Sequence, residues 1–136
     1  MSIRNKIRQY VDRELSDARK MRSEKNHLKE FESLERAHIL GQSSTFEHVR
    51  VHYHMLAWGV RNRNYFEILG QILRLIGAAV LTPLGLIPIG NTGGSNVSPF
   101  KSMPIPSDLE TKLSSLMSND AYAKNQHLFS SRFRDG

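Results

Sequence analysis

Residues 31–56, FESLERAHILGQSSTFEHVRVHYHML, decide the fold: two stretches of helical periodicity stand on either side of a break at Gly41-Gln42. At about 100° per residue, Leu28, Phe31 and Leu34 form the apolar face of the first stretch. Glu35 and His38 project from the middle of that face, where an unpaired carboxylate is costly. Glycine at 41 suits the left-handed position after a helix end. Ser43, Ser44 or Thr45 can cap the helix that follows, with Ser44 and Glu47 at capping-box spacing. In that helix Phe46, Val49, Tyr53, Leu56 and Val60 form the expected core face, and Glu47, Arg50, His54 and Arg61 the expected solvent stripe. His48 and His52 belong to neither and share a third side with Val51, Met55 and Gly59. The pair is therefore a helical hairpin, with its second member buried on most of its circumference.

Working outward, helices are expected from Ile3 to Met21, Glu24 to Leu40, Thr45 to Val60 and Tyr65 to Leu81. The first 82 residues contain no proline; all five prolines lie between Pro83 and Pro106, with Gly85, Gly90, Gly93 and Gly94 among them. That segment carries one charge, Lys101, so it is expected to lie pinned on the helical body rather than solvated. A short fifth helix follows Pro106, capped by Ser107 and carrying Leu109, Leu113, Leu116 and Met117. No strand pattern competes. The expected fold is all-α: two antiparallel helical hairpins, tetratricopeptide-like or bundled, then a Pro/Gly-rich packed loop and a short C-terminal helix. Residues 1–118 form one domain in this reading, and 119–136 a polar, frayed tail.

Composition narrows the chemistry. With 136 residues, 39% of them hydrophobic and 24% charged, the chain has an ordinary globular balance. It has no cysteine, which removes disulfides, thiolate nucleophiles and cysteine-based zinc or iron–sulfur sites. The net charge is +6, yet ten Lys/Arg in the first 36 residues are interleaved with seven Asp/Glu. Such a pattern belongs to a solvated helix face, so nucleic-acid binding is not expected. The N-terminus lacks the apolar core of a secretory signal. The apolar run Ile68–Ile89 is interrupted by Gln71, Arg74, Pro83 and Pro88, so no transmembrane segment is expected and the expected location is cytoplasmic.

Hairpin geometry links the anomalous residues. With the turn centred between Gln42 and Thr45, His38 faces His48 and Glu35 faces His52. The four donors Glu35, His38, His48 and His52 form a candidate metal site between the second and third helices, of a kind that suits zinc, iron, manganese or nickel. The opposing reading is a buried, hydrogen-bonded polar cluster with no metal. Glu67, Gln71 and Arg74 make a polar stripe on the apolar fourth helix and are expected to face solvent. Turned inward instead, Glu67 would become a fifth ligand or a partner orienting an imidazole. Gly90-Asn91-Thr92-Gly93-Gly94-Ser95 lacks the strand and the Gly-Lys-Ser/Thr of a phosphate loop and reads as a structural turn. His27 and His127 sit in polar contexts and receive no role. Under the metal-free reading the helical hairpins are a protein-interaction or dimerisation module. Leu84, Leu86, Ile87, Ile89, Phe100 and Ile105 of the 84–105 loop then offer the docking surface.

Several motifs, in order, carry a family resemblance: Leu34-Glu35-Arg36-Ala37-His38, Gly41-Gln42, His48-Val49-Arg50-Val51-His52, Gly70-Gln71, Gly90-Asn91-Thr92-Gly93-Gly94 and Asn96-Val97-Ser98-Pro99-Phe100. Over about Ile3 to Leu116 the chain resembles a small bacterial family catalogued as a domain of unknown function, number 3703. The resemblance implies a bacterial, stand-alone, single-domain protein. It implies no activity, cofactor or catalytic residue.

Overall fold

The computed structural model describes residues 2–116, which contain five α-helices and no strand. They are α1 (Ile3–Ser23), α2 (His27–Gly41), α3 (Thr45–Arg61), α4 (Tyr65–Leu81) and α5 (Ser107–Leu116). Met117 and the tail from Asn119 lie outside the described residues. Consecutive helices pack in pairs, α1 along α2 and α3 along α4, while α2 also meets α3.

Helix boundaries follow local chemistry. The Ser2 hydroxyl accepts from the Asn5 amide to open α1. The second helix starts at His27 rather than at Glu24. Glu24 caps the end of α1, Lys25 takes a left-handed φ of 57°, and the Asn26 side chain accepts from the Lys29 amide. Ser44 makes no side-chain cap on α3. The expected capping box is replaced by an ion pair, since Glu47 turns to Arg50 at 2.9 Å.

The core runs along α1, α2, α3 and α5. Ile7, Val11, Leu15 and Ala18 of α1 are buried as their spacing predicts. They pack with Leu34, Ala37, Ile39 and Leu40 of α2, Val51, Met55 and Trp58 of α3, and Leu109, Leu113 and Leu116 of α5. Arg36 of α2 joins three helices by pairing with Glu14 of α1 and Asp108 of α5. The hydrogen-bonded contact with the Asp108 and Glu14 carboxylates holds the Arg36 guanidinium above its ordinary range.

Two helices are turned relative to expectation. On α3 the third side, His48, Val51, His52, Met55 and Gly59, faces inward as expected, but the expected core residues Phe46, Tyr53 and Val60 are exposed and Glu47 of the expected solvent stripe is buried, paired with half-buried Arg50. On α4 the buried residues are Glu67, Gln71 and Ala78, while Leu69, Ile72, Leu73, Ile76 and Val80 are exposed. One cause accounts for both. The inward polar side chains find partners on neighbouring segments, which removes the cost of burying them, and the apolar faces are left uncovered.

Candidate metal centre

Three imidazoles meet at one point. His38 comes from α2, and His48 and His52, one helical turn apart, come from α3. All three are buried. The His38 and His48 Nε2 atoms are 2.8 Å apart, His38 and His52 3.1 Å, and His52 and His48 3.2 Å.

Each ring is held from behind through Nδ1. His38 Nδ1 lies 2.7 Å from the Asn91 carbonyl oxygen. A carbonyl only accepts, so this nitrogen carries the proton and Nε2 presents a lone pair. His52 Nδ1 lies 2.6 Å from Gln71 Oε1. The Gln71 amide orientation is fixed, because its Nε2 donates to Glu67 Oε1 at 2.6 Å and to the Gly93 carbonyl at 2.8 Å. His52 is therefore also protonated at Nδ1 and faces the centre with a lone pair. His48 Nδ1 is 2.7 Å from the Thr82 hydroxyl, which can serve either role.

Burial depresses the proton affinity of all three, reinforced at His38 and His48 by neighbouring rings and at His52 by the Arg74 charge. His38 falls well below the ordinary histidine value, His48 falls to about 3 and His52 to about 4. The rings are thus neutral at neutral pH. Even with His48 protonated on Nε2, one hydrogen cannot satisfy two facing lone pairs; a shared cation satisfies all three. Three imidazole nitrogens bound facially at about 2.0–2.1 Å from one ion stand about 2.9 Å apart in octahedral and about 3.3 Å apart in tetrahedral geometry. The observed separations span the first value and approach the second. No other group of three or more His, Asp or Glu side chains among the described residues converges in this way.

Glu35, the fourth expected donor, is not brought into this group. It projects from α2 one turn before His38, and the two side chains meet different residues of one loop. The Gly94 backbone lies against Glu35, and Gly93 lies against the His38 ring. Burial and the negative charges of Glu32 and Glu67 raise the Glu35 carboxyl to about 7, with Thr92 opposing the shift. Glu67 does turn inward, contrary to the expected solvent stripe, but not as a ligand. Its carboxylate accepts from Gln71 and from the Ser95 amide, so it reaches His52 through Gln71.

The loop between α4 and α5 supplies what the hairpin register could not indicate. Asn91 is its hub. Its carbonyl holds His38, its Oδ1 accepts from the Gly93 amide, and its Nδ2 donates to the Ser98 and Lys101 carbonyls. Gln42, immediately after α2, clamps the same loop by donating to the Pro88 carbonyl and accepting from the Gly90 amide. The polar residues Asn91 and Gln42 beside turn glycines were the available signal. Thr82, reached across 34 positions from His48, carried none.

The three histidines line the floor of a cavity of about 660 Å³ whose walls are largely apolar. Phe66, Leu69 and Leu73 of α4 and Val97, Pro99 and Phe100 of the loop form much of the wall. An ion capping the three nitrogens would keep its remaining coordination positions toward this cavity. No helix among the described residues is long and apolar enough to cross a membrane.

A family model described as a protein of unknown function (DUF3703) matches residues 5–113. No curated protein and no solved structure matches the chain.

Proposed function

We propose, for a chain that belongs to the DUF3703 family of proteins of unknown function, that it binds one divalent metal ion through the Nε2 atoms of His38, His48 and His52. The observation that carries this reading is the pair of facing lone pairs on His38 and His52, fixed by acceptor-only partners behind each ring. Zinc, iron, manganese and nickel all accept imidazole donors. With three protein ligands, positions remain open for a small molecule. Glu67 acts at a distance, as the carboxylate that orients Gln71 and through it His52. Glu35 stands outside the ligand set. The framework in this reading is one domain, residues 1–118, of two helical hairpins with the 83–106 segment packed on them.

Elemental analysis of protein purified without affinity tag or chelator, beside the His48→Ala/His52→Ala double variant, tests the proposal. Near-stoichiometric metal in the wild type and little in the variant is expected. No metal in either, even after incubation with zinc, iron, manganese and nickel, overturns it.

The uncovered apolar face of α4, with Leu69, Leu73, Ile76 and Val80 exposed, supports a second reading. Here the histidines are a metal-free polar cluster and the helical hairpins are a dimerisation module. Sedimentation across a range of concentrations separates the two readings, because a strict monomer that retains metal excludes the second.

A further inference from the structure

The metal reading leaves a charge imbalance beside an apolar cavity. The three histidines are neutral ligands, so a divalent ion would keep its full charge there. Arg74 of α4 adds to it. The residue lines the same cavity and is half-buried. It donates to the Val97 carbonyl, and no carboxylate among the described residues lies within ion-pair distance of it. Glu67 is the nearby negative charge, and it is already engaged by Gln71 and the Ser95 amide. A site with excess positive charge beside an apolar wall calls for an anion. The surrounding wall selects the rest of that anion. Phe66, Leu69, Leu73, Leu81, Val97 and Phe100 present hydrocarbon over a volume typical of small-molecule sites.

We propose that the cavity binds a small monocarboxylate with an apolar body, its carboxylate spanning the open coordination position of the metal and the Arg74 guanidinium and its hydrocarbon lying along α4 and the 97–100 segment. This inference rests on the metal reading. It assigns Arg74 an anion-binding role and gives the exposed apolar residues that border the cavity an occupant smaller than a protein partner.

Gly77 allows a test from the cavity side. It lines the cavity, and a Cβ added there meets nothing within 4 Å, so a larger side chain can occupy that space without disturbing the helix. Cobalt(II)-loaded protein is titrated with octanoate, followed by calorimetry and by the visible cobalt spectrum, with acetate and 1-octanol as the head-only and tail-only probes. One octanoate is expected to bind per protein with a change in the cobalt bands, and each partial probe at least tenfold more weakly. Arg74→Gln and Gly77→Leu are each expected to weaken octanoate at least tenfold with cobalt content unchanged. Cobalt retained with no octanoate binding, binding that leaves the spectrum unmoved, or equal affinity in both variants overturns this inference and leaves the metal reading standing. Failure of the wild-type protein to retain cobalt, zinc, iron, manganese or nickel overturns both.

Discussion

At Gly93 a single hydrogen atom in place of a side chain keeps the His38 ring where it is. The residue has a φ of +82°, and a Cβ there would stand 2.6 Å from His38 Cδ2. Gly93→Ala therefore forces both a strained backbone and a displaced imidazole. The expected outcome is a loss of more than about 1 kcal/mol of stability in urea titration, together with weakened metal retention. Gln71 invites a cleaner measurement, since it is fully buried and touches His52, Glu67 and Gly93 at once. Gln71→Leu removes the acceptor behind His52 without changing any ligand. A fall of about 10–100-fold in zinc affinity is expected by competition with a chromophoric chelator. An unchanged affinity would mean that Gln71 does not tune the site. Of these residues, the three histidines were legible from helical spacing, because i and i+4 share a face and a hairpin brings facing levels together. Gly93 was legible only as a turn residue. Its partner lies 55 positions away, and nothing local encodes that distance.

Among the elements, α4 shows where periodicity misleads. Its apolar residues cover most of the wheel, so hydrophobicity alone cannot say which side is inward. The buried side proved to be the polar one, because the Glu67 carboxylate accepts from Gln71 and the Ser95 amide, and Gln71 also donates to the Gly93 carbonyl. The misassigned faces of α3 have the same origin, with two apolar sides and only one covered. The 3.6-residue repeat did locate helices α1 to α4 along the chain, and the boundary error at α2 came from Lys25, whose left-handed turn no repeat can announce. Helix α5 is short but anchored by three leucines. Leu113→Ala is expected to cost about 2–5 kcal/mol in urea denaturation, as for other buried leucines. A cost below about 0.5 kcal/mol would mean that α5 is dispensable to the core.

Helix α2 contributes a pH effect of its own. The Glu35 carboxyl, raised to about 7 from its ordinary 4.5, binds its proton more tightly folded than unfolded. Its favourable contribution is complete below about pH 4.5 and is lost as pH rises through about 7. Glu35→Gln is therefore expected to flatten the stability profile between those limits and to raise the melting temperature above pH 7. A variant whose profile parallels the wild type would mean that Glu35 stays solvated.

For the whole molecule, the metal reading ties stability to ion concentration. An ion that binds only the folded chain stabilises it by about 2.7 kcal/mol when free metal is one hundred times Kd. Zinc addition is expected to raise the melting temperature of chelator-treated protein, and the His48→Ala/His52→Ala variant to show no such rise. The neutral histidines push the metal-free protein the opposite way from Glu35. With His48 held at about 3 and His52 at about 4, the unfolded chain takes up their protons first, so stability falls as pH drops from about 6.5 toward 4.

The Asn91 strut also has a consequence in time. Helices α2 and α3 are joined by a three-residue turn and can pair early, since short loops close quickly. His38, however, waits for a carbonyl 53 positions downstream, and Gln42 for partners 46 and 48 positions away. On refolding, helical circular dichroism should therefore mature before cobalt absorption does. The delay between the two signals is the time the chain spends as a helical body whose histidines have not yet been brought to order.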